Sequence, residues 1–502
     1  MLWIALYLPR LPLDLAYRRW PEAMREGLEH GVPLAVTEAK RIRWANACAQ
    51  QAGVDFAMQE SSARSRAAEL VLLARDTDAE ARAVIEAALW ALHFTPQVSL
   101  QDQGLLLEVA PSLRLFGGLA ALKHGLREGV RRLGFVPQLA SAPTATAAWL
   151  LAQHGDDIDT DGASCAAQLD ALPVNLLQAA QPYLDSLYAI GCRRLVQLRA
   201  LPRGGIVRRF GAAVLSELDK AYGAEPDAHL WYEAPETFSA RLELAARVDN
   251  AEALQYAAER LLMQMTGWLV ARHAAVTRFS LLLHHESVRR RSDASSNMPT
   301  TVEVKLGAAS RDLAHLALLL QENLAKLKLT ASVIELSLQA DAIEALAAPN
   351  NELFATTAGQ AESMARLIER LASRLGEGAI NRFKLVADHR PERCFTLKPA
   401  LHGDAGRERK QQDLTTAFPA RPSWLLAQPV ALMVRHEKPF YLGSLTMLAG
   451  PERIESGWWD DALAARDYFI ARNDSQMLLW VYRERPSLGE EMPGWFLHGF
   501  FG

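Results

Sequence analysis

The side chains best suited to hold a charged partner are arginines in short runs, Arg208-Arg209 and Arg289-Arg290-Arg291, in a chain of 502 residues whose formal net charge is −4. Guanidinium groups match phosphate geometry. Any contact with nucleic acid must therefore come from local clusters and not from the molecule as a whole. Metal chemistry has less support. Cys48, Cys165, Cys192 and Cys394 lie far apart without ligand spacing, which predicts reduced, unpaired thiols. His389 stands in the run Asp388-His389-Arg390-Pro391-Glu392, but one imidazole without a second ligand at fixed spacing is more often structural. No metal and no cofactor are expected.

The elements that position these residues begin with Val98 to Val109, VSLQDQGLLLEV. Leu105, Leu107 and Val109 alternate with Leu106 and Glu108 between Gly104 and Pro111, as in a central strand buried on both faces. Leu2 to Leu8 reads as a second strand, and Thr77 to His93 and Leu119 to Leu133 as helices. Phe135 to Ala142 is a further strand before a helix from Thr144. Gly155 to Ala163, polar and glycine-containing, reads as a linker. The N-terminus lacks a basic region and a small-residue cleavage site, and no apolar run reaches a membrane span. A cytoplasmic protein without membrane contact is expected.

The two strands resemble the palm of the Y-family translesion DNA polymerases. In that family the first strand carries Asp residues in a D-x-D-x-F-F pattern. A later strand carries adjacent Asp-Glu before an L-D-V that here looks like Leu107-Glu108-Val109. Aligned on the strand ends, the first pair falls on Ala5 and Tyr7 and the second on Gln103 and Gly104. The family's reaction needs anionic oxygens to hold two hard cations about 4 Å apart. An apolar, a phenolic, an amide and a hydrogen side chain cannot do that. Asp102 and Asp14 lie nearby, so a shift of register could restore one ligand, not three. The chain is thus identified as a member of the ImuB type, which keeps the polymerase fold without the metal ligands. The resemblance implies a protein that is not an enzyme; the alternative is an active lesion-bypass polymerase.

The resemblance implies an α/β (α+β) fold in five parts: a ferredoxin-like palm (1–20 and 76–160), fingers (21–75), a helical thumb (161–235), a little finger (236–345) and a C-terminal extension (346–502). In the fingers, Ala49, Gly53-Val54, Met58, Ala63 and Ala68 follow the family's spacing, with Ala57 where a second glycine is expected. In the thumb, the segment around Ile190-Gly191 resembles a helix-hairpin-helix whose turn lets backbone amides approach a phosphate. A second small turn, Pro202 to Gly205, opens the helix carrying Arg208 and Arg209. Successive hairpins with glycine caps are the plain alternative. In the little finger, two helices on a four-stranded sheet grip duplex DNA, with Arg289, Arg290 and Arg291 at a hairpin tip, in phosphate contact or simply solvated.

In the extension, Asn350-Asn351-Glu352-Leu353-Phe354 resembles the Q-x-x-L-F peptides that bind the bacterial sliding clamp. There Leu353 and Phe354 would fill an apolar pocket, and Asn350 would take the place of the Gln. The last stretch is dense in tryptophan and tyrosine, with a β-hairpin predicted about Asn473-Asp474. It reads either as a small β domain with an aromatic core or as a docking surface. The partners implied are primer-template DNA, the sliding clamp, a DnaE-type error-prone polymerase and an ImuA-type RecA-like protein, in DNA-damage-induced translesion synthesis.

Overall fold

Trp3–Tyr7 (β1) is an apolar run whose alternate side chains serve two different cores. In the computed structural model, which describes residues 1–18, 31–286, 298–329, 331–345, 357–376, 378–400, 420–460, 462–485 and 494–502, the chain forms two units, Met1–Glu362 and Ser363–Gly502. In the first unit β1 lies between β6 (Gly104–Glu108) and β7 (Gln138–Ala142). The sheet order is β5-β6-β1-β7-β8, with β5 Val98–Gln101 and β8 Ile158–Asp159. All pairs are antiparallel except β7 with β8. Leaving β8 aside, this is the strand order of the ferredoxin-like palm.

Ile4 and Leu6 pack with Val84 of α4 (Thr77–Ala91) and Leu126 of α5 (Leu119–Arg132) on one face. Trp3 and Ala5 pack with Ala147 and Leu151 of α6 (Ala145–His154) on the other. The helix starts follow local chemistry. The Asp76 carboxylate accepts from Ala79 N at 2.9 Å and the Thr144 hydroxyl from Ala147 N at 3.2 Å, satisfying amides that the first turn leaves open.

Two expectations change here. The stretch Val98 to Val109 is not one strand but a tight hairpin, because Gln101 pairs with Gly104 across the two residues Asp102 and Gln103. The apolar pattern runs on through the turn and hides it. Residues 155–163 are also not a simple linker. They contain the edge strand β8, and Asp157 and Asp159 each stand 2.7 Å from the buried Lys123 amine of α5. Asp156 pairs with Arg127 at 2.9 Å. The polarity that suggested a linker answers the cations of a neighbouring helix.

A small sheet, order β3-β2-β4, joins β2 (Leu34–Glu38), β3 (Arg41–Ala45) and β4 (Val71–Ala74). It packs with α1 (Leu11–Arg18), α2 (Ala47–Gln51) and α3 (Glu60–Arg66). Gly53 has φ +83° and Ala57 φ +61°. Ala57, at the position where the pattern expects glycine, therefore does adopt the left-handed backbone that glycine takes without cost. Short helices follow: α7 (Cys165–Ala171), α8 (Leu184–Ala189), α9 (Leu195–Arg199), α10 (Arg203–Phe210) and α11 (Ala212–Ala221).

A second antiparallel sheet, order β11-β10-β12-β9, comprises β9 (Ser239–Val248), β10 (Ala274–His285), β11 (Thr300–Ser310) and β12 (Val333–Ala345). One face carries α12 (Gln255–Ala271) and α13 (Leu313–Leu324), the two helices on four strands that were expected. α12 also lies against α4 so closely that a Cβ on Gly267 would stand 1.9 Å from the Leu89 carbonyl oxygen. Only glycine permits that approach, and it merges the cores of the two sheets.

The second unit opens within α14 (Thr357–Leu375), which leads to a ribbon of β13 (Asn381–Leu385) and β14 (Phe395–Pro399). Six strands follow in the order β16-β15-β20-β19-β18-β17: β15 Trp424–Arg435, β16 Lys438–Phe440, β17 Thr446–Ser456, β18 Ala464–Arg472, β19 Leu478–Glu484 and β20 Trp495–Phe500. The predicted β18–β19 hairpin is present, and the Asn473 side chain closes its turn by accepting from Met477 N at 3.0 Å. Tyr468, Trp480, Tyr482 and His498 form a buried aromatic cluster. Among the described residues no helix is long and apolar enough to cross a membrane.

Candidate metal site and nucleic-acid interface

The β1–β6 register brings three of the four predicted positions together. Tyr7 is paired with Gly104, and the Tyr7 hydroxyl donates to Gln103 Oε1 at 3.2 Å. The Gln103 carbonyl in turn accepts from Leu8 N at 2.8 Å. Burial pushes the Tyr7 phenol up, so it stays neutral. Ala5 is paired with Leu106 and fully buried. At Gly104, with φ +156°, a Cβ would stand 2.0 Å from the Leu6 carbonyl oxygen. No carboxylate side chain enters there unless β1 moves.

Two of the neighbouring carboxylates are committed elsewhere. Asp14 is buried and its Oδ2 accepts from Val136 N at 2.9 Å. Glu108 is buried with Oε1 3.3 Å from both Leu2 N and Ala110 N. Asp102 sits exposed in the hairpin turn. The groups present do not fit a pair of hard cations, which require several convergent anionic oxygens. Among the described residues no cluster of three or more His, Cys, Asp or Glu side chains could hold a metal ion.

Trp149 of α6 meets the Tyr7 ring edge-on at 5.5 Å and forms one wall of a cleft of about 600 Å³. Its polar lining includes the carboxamides of Gln101, Gln153, Asn175 and Gln178 beside Glu217 and Lys220. At its rim the Asp227 carboxylate accepts from Thr146 at 2.6 Å and stands 3.1 Å from His229 Nε2. Burial pushes Asp227 up, but the His229 and Thr146 contacts outweigh it and hold it low. Sequence reasoning missed this cleft, because its lining is gathered from separate segments between residues 101 and 229.

The two turns expected in the thumb differ. After α8, Gly191 (φ +80°) donates to the Tyr188 carbonyl at 3.0 Å and Cys192 to Leu187 at 2.9 Å. These bonds close the helix in a Schellman cap. The Arg193 and Arg194 amides both donate to Gln197 Oε1, at 2.7 and 2.9 Å. Ile190 is 44% exposed, but the amides from Gly191 to Arg194 are spent within the protein.

At the second turn the amides of Arg203 and Gly204 have no acceptor among the described residues. Gly204 faces open space, and Arg208 follows it by four residues, on the same side of α10. Arg208 and Arg209 are exposed and have no carboxylate partner among the described residues. Arg203 is instead paired with Asp219.

The outward face of the second sheet, expected to grip DNA, is electrically balanced. Arg241, Arg278 and Lys305 share it with Glu243, Glu303, Glu335 and Asp341. Arg278 lies 3.5 Å and Lys305 3.6 Å from Glu303. Arg289, Arg290 and Arg291 belong to the connection between β10 and β11 and lie outside the described residues, as do Asn350, Leu353 and Phe354.

The run at 388–392 is a clip. The Arg390 guanidinium is buried, donating to Asp388 and to both oxygens of Asp460 at 2.9 and 2.7 Å. Glu392 accepts from Arg466 at 2.9 Å. His389 is exposed.

No family model matches this chain. Protein ImuB of Caulobacter vibrioides, from strain NA1000 / CB15N and from strain ATCC 19089 / CIP 103742 / CB 15, is 30% identical over 464 residues, covering 86% of this chain and 96% of the relative. Among solved structures, an insertion ternary complex of Dbh DNA polymerase is 14% identical with a TM-score of 0.38, covering 68% of this chain and 99% of that one. DinB from Sulfolobus solfataricus is 14% identical with a TM-score of 0.36, covering 69% and 100%. The extent of the match to the Caulobacter protein places the chain plainly: it belongs to the ImuB family.

Proposed function

We propose that this chain is a non-catalytic, Y-family polymerase-like adaptor in DNA-damage-induced translesion synthesis. In this reading residues 1–20 and 76–160 act as palm, 21–75 as fingers, 161–235 as thumb and 236–345 as little finger. The thumb and little finger hold primer-template DNA by its backbone. Asn350, Leu353 and Phe354 engage the sliding clamp. The extension recruits a DnaE-type error-prone polymerase and an ImuA-type RecA-like protein.

The observation that carries the reading is Gly104, where the Leu6 carbonyl oxygen leaves no room for a side chain at a position the polymerase reaction needs as a carboxylate. Tyr7, Gln103 and Ala5 support it, since none supplies an anionic oxygen. The test is lesion bypass on a primed template with the clamp, the DnaE-type polymerase and the ImuA-type protein. Bypass is expected only when this chain is added. Equal bypass without it contradicts the adaptor role.

The balanced outer face of the second sheet favours a second reading, a clamp-bound scaffold with little DNA affinity of its own. Binding of primer-template to the chain alone separates the two.

A further inference from the structure

The cleft beside Trp149 is built where three elements converge. Tyr7 pairs with Gly104 and Gly104 with Gln101, while Ala5 pairs with Leu106, so Gln101 and Leu106 lie on the sheet face that carries Tyr7. Thr146, Trp149 and Gln153 follow one another on α6 at steps of three and four residues, and Ala213, Glu217 and Lys220 do so on α11. Asn175 and Gln178 join them from the connection between α7 and α8. At about 600 Å³ the space is in the range of small-molecule sites.

The charged groups of the lining answer one another. Glu217 accepts from the amides of Gln178 and Ala179 at 3.0 and 2.8 Å. Asp227, bound to Thr146 and His229, also faces the Lys220 amine at 3.8 Å. Lys220 is the only lysine or arginine among the described lining residues, against two carboxylates. A phosphate therefore gains nothing inside the cleft. The carboxamides are different. Those of Gln101, Gln153, Asn175 and Gln178 have no hydrogen-bond partner among the described residues. Each presents donors and an acceptor in one plane, and the Trp149 indole stands among them.

We propose that this cleft receives a single unpaired nucleobase, with the phosphate left outside. A base edge carries its donors and acceptors in one plane, which carboxamides match two bonds at a time, and a base ring can lie on an indole. A sugar is puckered and turns its hydroxyls out of any one plane. That the flat ring is a base, and not another neutral heterocycle, rests on the DNA-binding reading. The base arrives in a strand or as a free nucleoside. The full chain would be titrated with deoxyadenosine by ligand-observed NMR, and with a single-stranded oligonucleotide carrying one 2-aminopurine, whose fluorescence falls on stacking. Gln101→Met/Gln153→Met keeps the side-chain length but removes two hydrogen-bonding groups, and should weaken base binding about tenfold. Deoxyadenosine 5′-monophosphate should bind no more tightly than deoxyadenosine. Displacement of the nucleoside by the oligonucleotide makes a strand the source; a lack of displacement makes it the free nucleoside.

Equal base binding by wild type and variant, tighter binding of the monophosphate, or displacement of the nucleoside by glucose overturns the proposal. So does the absence of both deoxyadenosine binding and 2-aminopurine quenching. If the wild type still binds primer-template in that case, the DNA-binding reading stands and only the cleft assignment falls; if it does not, both fall. A variant that keeps base binding but loses a protein partner makes the occupant a peptide segment, and the proposal is wrong. If the methionine pair melts early, Asn175→Ala/Gln178→Ala, at exposed positions, decides on the same criteria.

Discussion

Replacing Arg208 and Arg209 by alanine should change how DNA affinity depends on salt more than it changes the protein. Both side chains are exposed on α10 without a carboxylate partner among the described residues, so their loss leaves no buried charge unpaired. Arg193 and Arg194, also exposed and without such a partner, stand after the first turn. If these four arginines each neutralise one phosphate of duplex DNA, log K should fall with log salt with a slope of about −3.6, and the double variant should show about −1.8. For equal affinity extrapolated to 1 M salt, that difference makes the variant about 60-fold weaker at 0.1 M. The balanced face of the second sheet should add little to either slope. Fluorescence anisotropy of a labelled primer-template between 0.05 and about 0.3 M salt measures both lines. A slope unchanged by the double substitution would show these side chains to be solvated.

Three further outcomes follow from particular residues. Leu353→Ala/Phe354→Ala should remove most clamp affinity, since burying each side chain is worth roughly 1.5 to 3 kcal/mol, and Asn350→Gln should raise it; equal affinities in a clamp titration would strike the clamp from the partners. Gly267→Ala, which in an exposed helix would stabilise by roughly 0.5 to 1 kcal/mol, should instead destabilise by about 1 to 3 kcal/mol, because the new Cβ meets the Leu89 carbonyl; urea unfolding reads the sign. Burial holds His498 down at about 4, below its ordinary 6.5. As pH falls through that window the unfolded chain takes a proton that the native sheet refuses, so stability should drop by at most about 1.4 kcal/mol per pH unit. Denaturation of wild type and His498→Gln, followed by tryptophan fluorescence, should show a shallower drop in the variant, where His93, also held low by burial, still contributes.

Much of the fold was legible because period two and period 3.6 are written plainly in this chain. β9, Ser239–Val248, occupies the stretch its alternation predicts, and the α14 stripe marks a helix. What stayed hidden depends on partners far away in sequence. The hairpin turn at Asp102-Gln103 interrupts no apolar pattern, and the acids at 156–159 read as linker until Lys123 and Arg127 arrive from another helix. The candidate site divides the same way. That Ala5, Tyr7, Gln103 and Gly104 are not carboxylates is visible in the letters. That Gly104 cannot accept any side chain depends on the position of the Leu6 carbonyl, which only the β1–β6 register sets. Likewise, glycine at 191 marks a turn in sequence, but whether its amides are free depends on the Leu187 and Tyr188 carbonyls and on Gln197.

The central claim, that this chain has polymerase form without polymerase chemistry, is tested most directly by primer extension with the purified protein, Mg²⁺ or Mn²⁺ and all four nucleotides. The wild type and a variant carrying Ala5→Asp, Tyr7→Asp and Gln103→Asp should both leave the primer unextended, because the position at Gly104 stays closed to a carboxylate. Metal-dependent incorporation by the wild type that persists after contaminating polymerases are excluded would contradict the account.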